Sequence, residues 1–262
     1  MPIFQLDNYE VQITKYVETL KKEIDYYAEK LTDKEIKTLY IWWGTPSRIG
    51  IDRIINIIDY LKTKFDFKNI AELSIELNPN PMDEVLHFVN TINKRYKDFP
   101  RVRFSFGIQS LDDEVLQRTW RAYNFTQIAE FLRQLIKYKR ENTVFNFDFI
   151  AFGKFQINKN GHKQLRHEFK RNFFKDFLNS WYADSISLYT LEGLKDKKDN
   201  KDEINTLDGL GCPSIPSLPS NLSYYWSEDD IMEEFQILKQ FITDTGYQRY
   251  EISNFAHAGK AS

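Results

Sequence analysis

The 262-residue sequence holds one cysteine, Cys212. That excludes an intrachain disulfide framework and a cysteine-rich metal site drawn from these residues. No run of 18 apolar residues occurs, so no membrane span is expected. The opening Met1-Pro2-Ile3-Phe4-Gln5 lacks the basic stretch and apolar run of a secretory signal. Charge of one sign is also missing: 36 Lys and Arg stand against 38 Asp and Glu, a net −2. Nucleic acid is therefore not an expected partner. There is no Gly-x-Ser-x-Gly elbow, no Walker A loop and no Gly-x-Gly-x-x-Gly turn. His87, His162, His167 and His257 are scattered. Even the pair five apart, His162 and His167, has no matching carboxylate or cysteine, so no metal site is expected there. Cys212, in a Pro/Ser stretch, is read as inert. These absences point to a cytoplasmic protein.

What is present can build a core. Hydrophobic residues make up 42% of the chain and aromatics 16%, enough for one large domain or one with a small appendage. Apolar periodicity predicts helices over 9–31, 51–65, 82–96, 125–138, 168–181 and 229–243. Asp112 is placed to cap a short helix to 119. Short apolar runs predict strands over 36–43, 69–77, 102–108, 144–152 and 185–191. Thr45-Pro46-Ser47 reads as a turn and helix N-terminus, with Thr or Ser as cap. The repeating strand–helix order predicts an α/β fold with a mostly parallel sheet, either doubly wound or a partial barrel. Two stretches interrupt it. Residues 154–167 are basic and polar. Residues 195–225 open with Lys195-Asp196-Lys197-Lys198-Asp199 and turn Pro/Ser/Gly-rich, as a solvated insertion or a lid would. The organisation expected is a core over 1–192, a flexible loop over 193–226 and a terminal helix with its following segment over 227–262.

Parallel α/β folds bind ligands beyond the carboxyl ends of their strands. Here those ends are polar: Gly44-Thr45, Glu76-Leu77-Asn78-Pro79, Gly107-Ile108-Gln109-Ser110, Asp148 between Phe147 and Phe149, and Tyr189-Thr190-Leu191-Glu192. Singly, each could serve the fold: Glu76 as a solvated strand-end charge, Gln109 and Asp148 as partners of backbone amides. Together they point to a small-molecule site. Its donors and acceptors suit hydroxyls, an amine and a carboxylate, the last held by an arginine. A nucleotide cofactor and a sugar are equally compatible with that set.

The motifs in order carry a resemblance. Gly44-Thr45-Pro46-Ser47, Glu76-Leu77-Asn78-Pro79, Phe106-Gly107-Ile108-Gln109-Ser110-Leu111, Asp148-Phe149-Ile150 and Ser185-Ile186-Ser187-Leu188-Tyr189-Thr190-Leu191-Glu192 recur in one family. Most specific is Gly246-Tyr247-Gln248-Arg249-Tyr250-Glu251-Ile252-Ser253-Asn254-Phe255-Ala256. The chain resembles the oxygen-independent coproporphyrinogen III oxidase-like radical SAM proteins, in their haem-chaperone (HemW-type) branch. The resemblance implies a partial (β/α)6 barrel, here without its first strand, and S-adenosyl-L-methionine (SAM) as ligand. By motif position Gly44 and Thr45 would meet the methionine end, and Glu76, Gln109, Arg121 and Asp148 would supply other contacts. Arg121 would take the carboxylate, and Glu76 or Asp148 hydroxyl or amine donors. The implied work is porphyrin metabolism, as an oxidase-like enzyme or a haem chaperone, with porphyrin or haem as a further small-molecule partner.

The departures carry equal weight. The family's C-x3-C-x2-C, whose thiolates hold a [4Fe-4S] cluster, is absent, so cluster-dependent catalysis is not expected. The chain is expected to be an interior piece, starting after that motif and stopping before the family's H-N-x-x-Y-W and C-terminal domain. Where the family has G-G-G-T-P-S, Trp42 and Trp43 precede Gly44, and Trp120 stands at another glycine position. Indoles there would fill the pocket, and UGA codons read as glycine would account for them. Asp148-Phe149-Ile150-Ala151-Phe152-Gly153-Lys154 also replaces D-L-I-Y-G-L-P, which changes the following loop. Two other functions stay open: a non-catalytic haem-binding or delivery module, with His87, His162, His167 and His257 as the available axial ligands, and a degenerate remnant.

Overall fold

The computed structural model describes residues 9–42, 46–118, 121–152, 155–157, 163–165, 168–180, 183–190 and 228–261. In chain order the helices are α1 (Tyr9–Lys30), α2 (Ile51–Lys64), α3 (Met82–Arg95), α4 (Asp113–Arg118), α5 (Phe125–Leu135), α6 (Glu168–Asn179) and α7 (Glu228–Asp244). The strands are β1 (Thr38–Ile41), β2 (Glu72–Leu77), β3 (Val102–Gln109), β4 (Thr143–Ala151), β5 (Phe155–Ile157), β6 (Lys163–Leu165), β7 (Ser185–Thr190), β8 (Gln248–Arg249) and β9 (Asn254–Ala256).

Helix α3 shows why these segments fold as they do. Val85, Leu86, Phe88, Val89 and Ile92 fall on one face and are buried. Asp83 and Glu84 lie in the first turn and Lys94 and Arg95 in the last, each complementing the helix dipole. Helix α5 starts on a capping box in which Asn124 and Gln127 satisfy each other's backbone N–H groups.

Strands β1, β2, β3, β4 and β7 pair in parallel, and their order across the sheet follows the chain. A doubly wound sheet needs a point where that order reverses, and these five strands have none. Beyond β7 the sheet turns antiparallel: β9 pairs with β7 and β8 with β9. Residues 228–256 thus extend the same sheet, and Phe255 is fully buried in the common core.

Period-two alternation divides the sheet into two chemical faces. Leu73, Ile75, Phe104, Phe106, Phe145, Phe147, Ile186 and Leu188 point into a core shared with the helices. Phenylalanine rings lock it together: Phe106 packs edge-on to Phe131 at 5.3 Å, and Phe147 to Phe177 at 5.0 Å. The other face carries Glu72, Ser74, Glu76, Arg103, Ser105, Asn146, Asp148, Ser185 and Ser187. Helices α2 to α7 pack into that one core, as same-handed crossovers along a sheet whose order never reverses would have it, and the second face is left for polar chemistry.

Several expectations need correction. Residues 36–37 and 69–71 are not strand: the chain turns at Asp66 and Phe67, where the Lys68 N–H donates to Asp66 Oδ1 at 2.8 Å and the Ile70 N–H to the Phe67 carbonyl at 3.1 Å, and the Ile36 N–H donates to the Asp66 carbonyl at 2.8 Å beside an isolated bridge. Pro46–Ile49 is a separate 3₁₀ turn. Helix α2 starts afresh after Gly50, whose φ of 90° suits glycine, and has no side-chain cap. Residues 136–138 tighten into 3₁₀ at the end of α5. The stretch 154–167 holds the antiparallel pair β5–β6; strands of three residues are too short to show a period. The loop expected over 193–226 lies outside the described residues.

Candidate functional site

The polar face forms a cavity of about 330 Å³. Glu76 and Asp148 line it near the carboxyl ends of β2 and β4, and Tyr40 and Tyr189 flank it from β1 and β7. The Tyr40 hydroxyl donates a short hydrogen bond to Glu76 Oε1. Trp42 stacks on Tyr40, with ring centres 6.1 Å apart and planes 8° from parallel. Tyr40, Trp42 and Tyr189 are all exposed, so they form an aromatic rim over an acidic floor. The turn between β8 and β9 adds Tyr250 and Glu251, and the start of β9 adds Asn254. Asn254 Nδ2 donates to Glu251 Oε2 at 2.6 Å, and the Leu188 N–H to the Ser253 carbonyl at 2.8 Å, which ties the turn to β7.

Asp148 is the acid whose chemistry the fold alters most. Burial pushes its carboxyl up to about 6, and the Glu76 charge adds to the rise. Hydrogen bonds from Ser187 and Asn146 and the Arg103 charge oppose it. Tyr40 and Tyr189 are both raised, first by burial; after that the Glu76 hydrogen bond acts on Tyr40 and the Asp148 charge on Tyr189. Both phenols therefore stay protonated as donors.

Gly107 and Gln109 end β3, the strand between those that carry Glu76 and Asp148. Gly107 lies opposite Asp148 in the β3–β4 register, and the register then shifts so that Gln109 meets Phe149. Gln109 adopts a φ of 67°, a backbone conformation that side-chain-bearing residues rarely take. Its amide folds back over Gly107: a Cβ at that glycine would sit 2.7 Å from Gln109 Nε2. The bare glycine is what leaves room for the amide.

The sequence-predicted residues divide three ways. Glu76 and Asp148 line one cavity, while Gln109 ends the strand between theirs and is not part of that lining. Arg121 does not line their cavity. It lines a separate one of about 600 Å³ with Asp113, Gln117, Tyr123 and Gln127. There its Nε is buried without a hydrogen-bond partner among the described residues. Tyr123, pushed up to about 12 by burial, donates to the Gly107 carbonyl at 2.8 Å, so the Arg121 cavity lies beside the same strand. Gly44, Thr45, Trp43 and Trp120 lie outside the described residues, as do His162, His167 and Cys212. His87 is exposed on α3. His257 is buried against the Tyr247 ring at 3.8 Å, and burial lowers its pKa. Neither lines the cavity. Ser187 and the Tyr250–Asn254 segment were read as family motifs without a place in the site, and Tyr40 and Asn146 escaped the sequence reading. Its unused signal was the polar residue at every second position in Glu72-Leu73-Ser74-Ile75-Glu76 and Phe145-Asn146-Phe147-Asp148-Phe149.

Comparison with known proteins decides the relationship. No family model matches the chain. The haem chaperone HemW of Buchnera aphidicola subsp. Schizaphis graminum is 26% identical over 248 residues, which is 92% of this chain and 54% of that protein. The oxygen-independent coproporphyrinogen III oxidase of Salmonella typhimurium is 30% identical over 128 residues, 48% of this chain and 26% of that one. Its homologues are HemW haem chaperones and oxygen-independent coproporphyrinogen III oxidases. The solved structure of the radical SAM enzyme coproporphyrinogen III oxidase (HemN) from Escherichia coli matches with a TM-score of 0.65 at 20% identity. That match covers 96% of this chain and 50% of the other. The likeness to HemN is one of fold, an α/β domain with a mostly parallel sheet. The chain spans about half the length of the HemW relatives it matches. Among the described residues, no helix is long and apolar enough to cross a membrane.

Proposed function

We propose that this chain is a SAM-binding domain of the HemW and coproporphyrinogen oxidase class, acting in the cytoplasm in porphyrin metabolism, with the adenosyl ligand on the polar sheet face. The observation that carries the reading is the meeting of Glu76 and Asp148 in one cavity flanked by Tyr40 and Tyr189, with Gln109 at the end of the strand that lies between theirs. Strand order that follows the chain, with the polar face left inward, supports a partial (β/α)6 barrel. The residues suit the ligand. Carboxylates accept from ribose hydroxyls and an ammonium, aromatic faces attract adenine and a sulfonium cation, and about 330 Å³ lies in the range of small-ligand sites. Gly44 and Thr45 carry the methionine end in this reading. Arg121 takes the ligand carboxylate only if the ligand reaches past Gln109 into the neighbouring cavity.

The residues do not suit a [4Fe-4S] cluster. The sequence has one cysteine, and among the described residues no group of three His, Cys, Asp or Glu is placed to hold a metal ion. The chemistry assigned to this chain is therefore binding and orientation. Glu76 is held by Tyr40, Asp148 by Asn146, and the rim limits water around both. No described histidine faces the cavity, so nothing in the site favours haem over the adenosyl ligand.

Isothermal titration of the whole chain with SAM at pH 8 tests this. One binding site is expected, weakened about tenfold or more in Glu76→Gln and in Asp148→Asn. Haem followed at its Soret band is the parallel titration. Haem binding with no response to SAM would replace the reading with a delivery module. Silence toward both would leave a remnant.

A further inference from the structure

A line of hydrogen bonds runs under the cavity from one end of the polar face to the other. Arg103 Nη1 donates to Ser185 Oγ at 2.8 Å. Ser185 Oγ donates to Asn146 Oδ1 at 2.8 Å. Asn146 Nδ2 donates to Asp148 Oδ1 at 2.7 Å. Arg103, Ser185 and Asn146 are all buried.

The direction of this line is dictated by chemistry. A guanidinium has donors and no acceptor, so the Ser185 proton cannot point back at Arg103. It must point at Asn146, which turns the amide oxygen toward Ser185 and the amide nitrogen toward Asp148. An ionised Asp148 accepts only, but beside a protonated Asp148 the amide could otherwise face either way. Arg103 is fixed in turn: its Nε donates to Glu72 Oε1 at 3.1 Å and its Nη2 to the Lys260 carbonyl at 3.0 Å.

The geometry assigns Arg103, Ser185 and Asn146 a joint positioning role: the guanidinium, acting through the serine, sets the facing of the amide so that Asp148 always receives a donor. A carboxylate partly removed from water is costly unless hydrogen-bonded, and here the charge that orients its donor is three hydrogen bonds away. The role in ligand binding rests on the reading of the cavity given above; the orientation itself does not. The other ionisable groups on Asp148 or its cavity are Glu72 and Glu76 from β2, Tyr40 from β1, Tyr189 from β7, and Tyr250 and Glu251 from between β8 and β9.

The test needs no ligand. The Asp148 carboxyl carbon is followed by NMR through a pH titration, its signal assigned by loss in Asp148→Asn. In Ser185→Ala the midpoint should rise by about one pH unit, because the donor facing is no longer enforced. Ser105→Ala is the control. Ser105 also meets the Asn146 amide, at 3.4 Å, but only as an acceptor, so the midpoint should stay within about 0.3 of wild type. Equal movement in the two variants, or none in Ser185→Ala, overturns the proposal. Should Ser185→Ala fail to fold, the wild-type protein decides alone. Nuclear Overhauser contacts from the Asn146 amide protons to Ser187 support the assigned facing; contacts to Ser185 in their place overturn it. Failure to bind SAM would sink the functional reading and leave this titration untouched.

Discussion

At the amino end of the polar face, Glu72 meets Arg103 at 3.1 Å and Arg101 at 3.3 Å. The two guanidiniums also reach the carbonyls of Gly259, Lys260 and Ala261. At the carboxyl end of the same face, Glu76 and Asp148 lie near each other, and neither pairs with a lysine or arginine among the described residues. One end spends its charges on one another and on the chain segment that crosses it. The other keeps an acidic surplus in a cavity whose lining reaches back to Glu72 and Arg103, where the acid is already paired. The contrast separates a structural use of charge from a binding use within one sheet, because a carboxylate already satisfied by arginine has nothing left to offer a ligand.

Breaking the amino end should cost the most. Arg103→Met leaves the buried Glu72 with Arg101 as its one remaining cation, and denaturant unfolding should show a loss of about 3 kcal/mol. Adding Glu72→Met should recover much of it, since an apolar pair of similar size replaces the ion pair.

The carboxyl end should respond in the opposite sense. Asp148 titrates near 6 in the folded chain against an ordinary 3.8, so between those values the folded state holds more proton than the unfolded one. Stability contributed by this group is present below about pH 4 and is lost as pH rises through about 6. Asp148→Asn should flatten that part of a pH–stability curve measured without ligand. Tyr40→Phe is a gentler cut. It removes one donor from Glu76 and should weaken SAM roughly three- to tenfold by calorimetry.

His257 sharpens the comparison from the amino-end segment. Its folded pKa lies below 6.5, so its contribution to stability is full above that value and declines as pH falls below it. A pH–unfolding curve of His257→Phe should lose only that small acid-side slope.

How much of this was legible depends on period and pairing. The helices and five parallel strands follow from apolar spacing in single segments such as 82–96 and 102–108. Glu76, Gln109 and Asp148 stood out because they sit at or near strand ends. Asn146 did not, since a polar residue inside a strand reads the same whether it faces solvent or a network. The Glu72–Arg103 pair depends on the β2–β3 register, in which Leu73 meets Val102, and no local pattern encodes that. Arg121 was placed with the acids by motif position. The chain puts it in the adjacent cavity, where Tyr123 anchors its segment to Gly107. The fold-back of Gln109 needs both a left-handed φ and the missing side chain at Gly107, a coincidence that sequence spacing does not display.

The most direct test of the acidic end as binding apparatus is SAM affinity measured from pH 5 to pH 8 on wild type and Asp148→Asn. Affinity for this cationic ligand should strengthen as Asp148 ionises, with a midpoint near 6, and the variant should bind weakly with no such step. Equal affinity in the two proteins across the whole range would contradict the account.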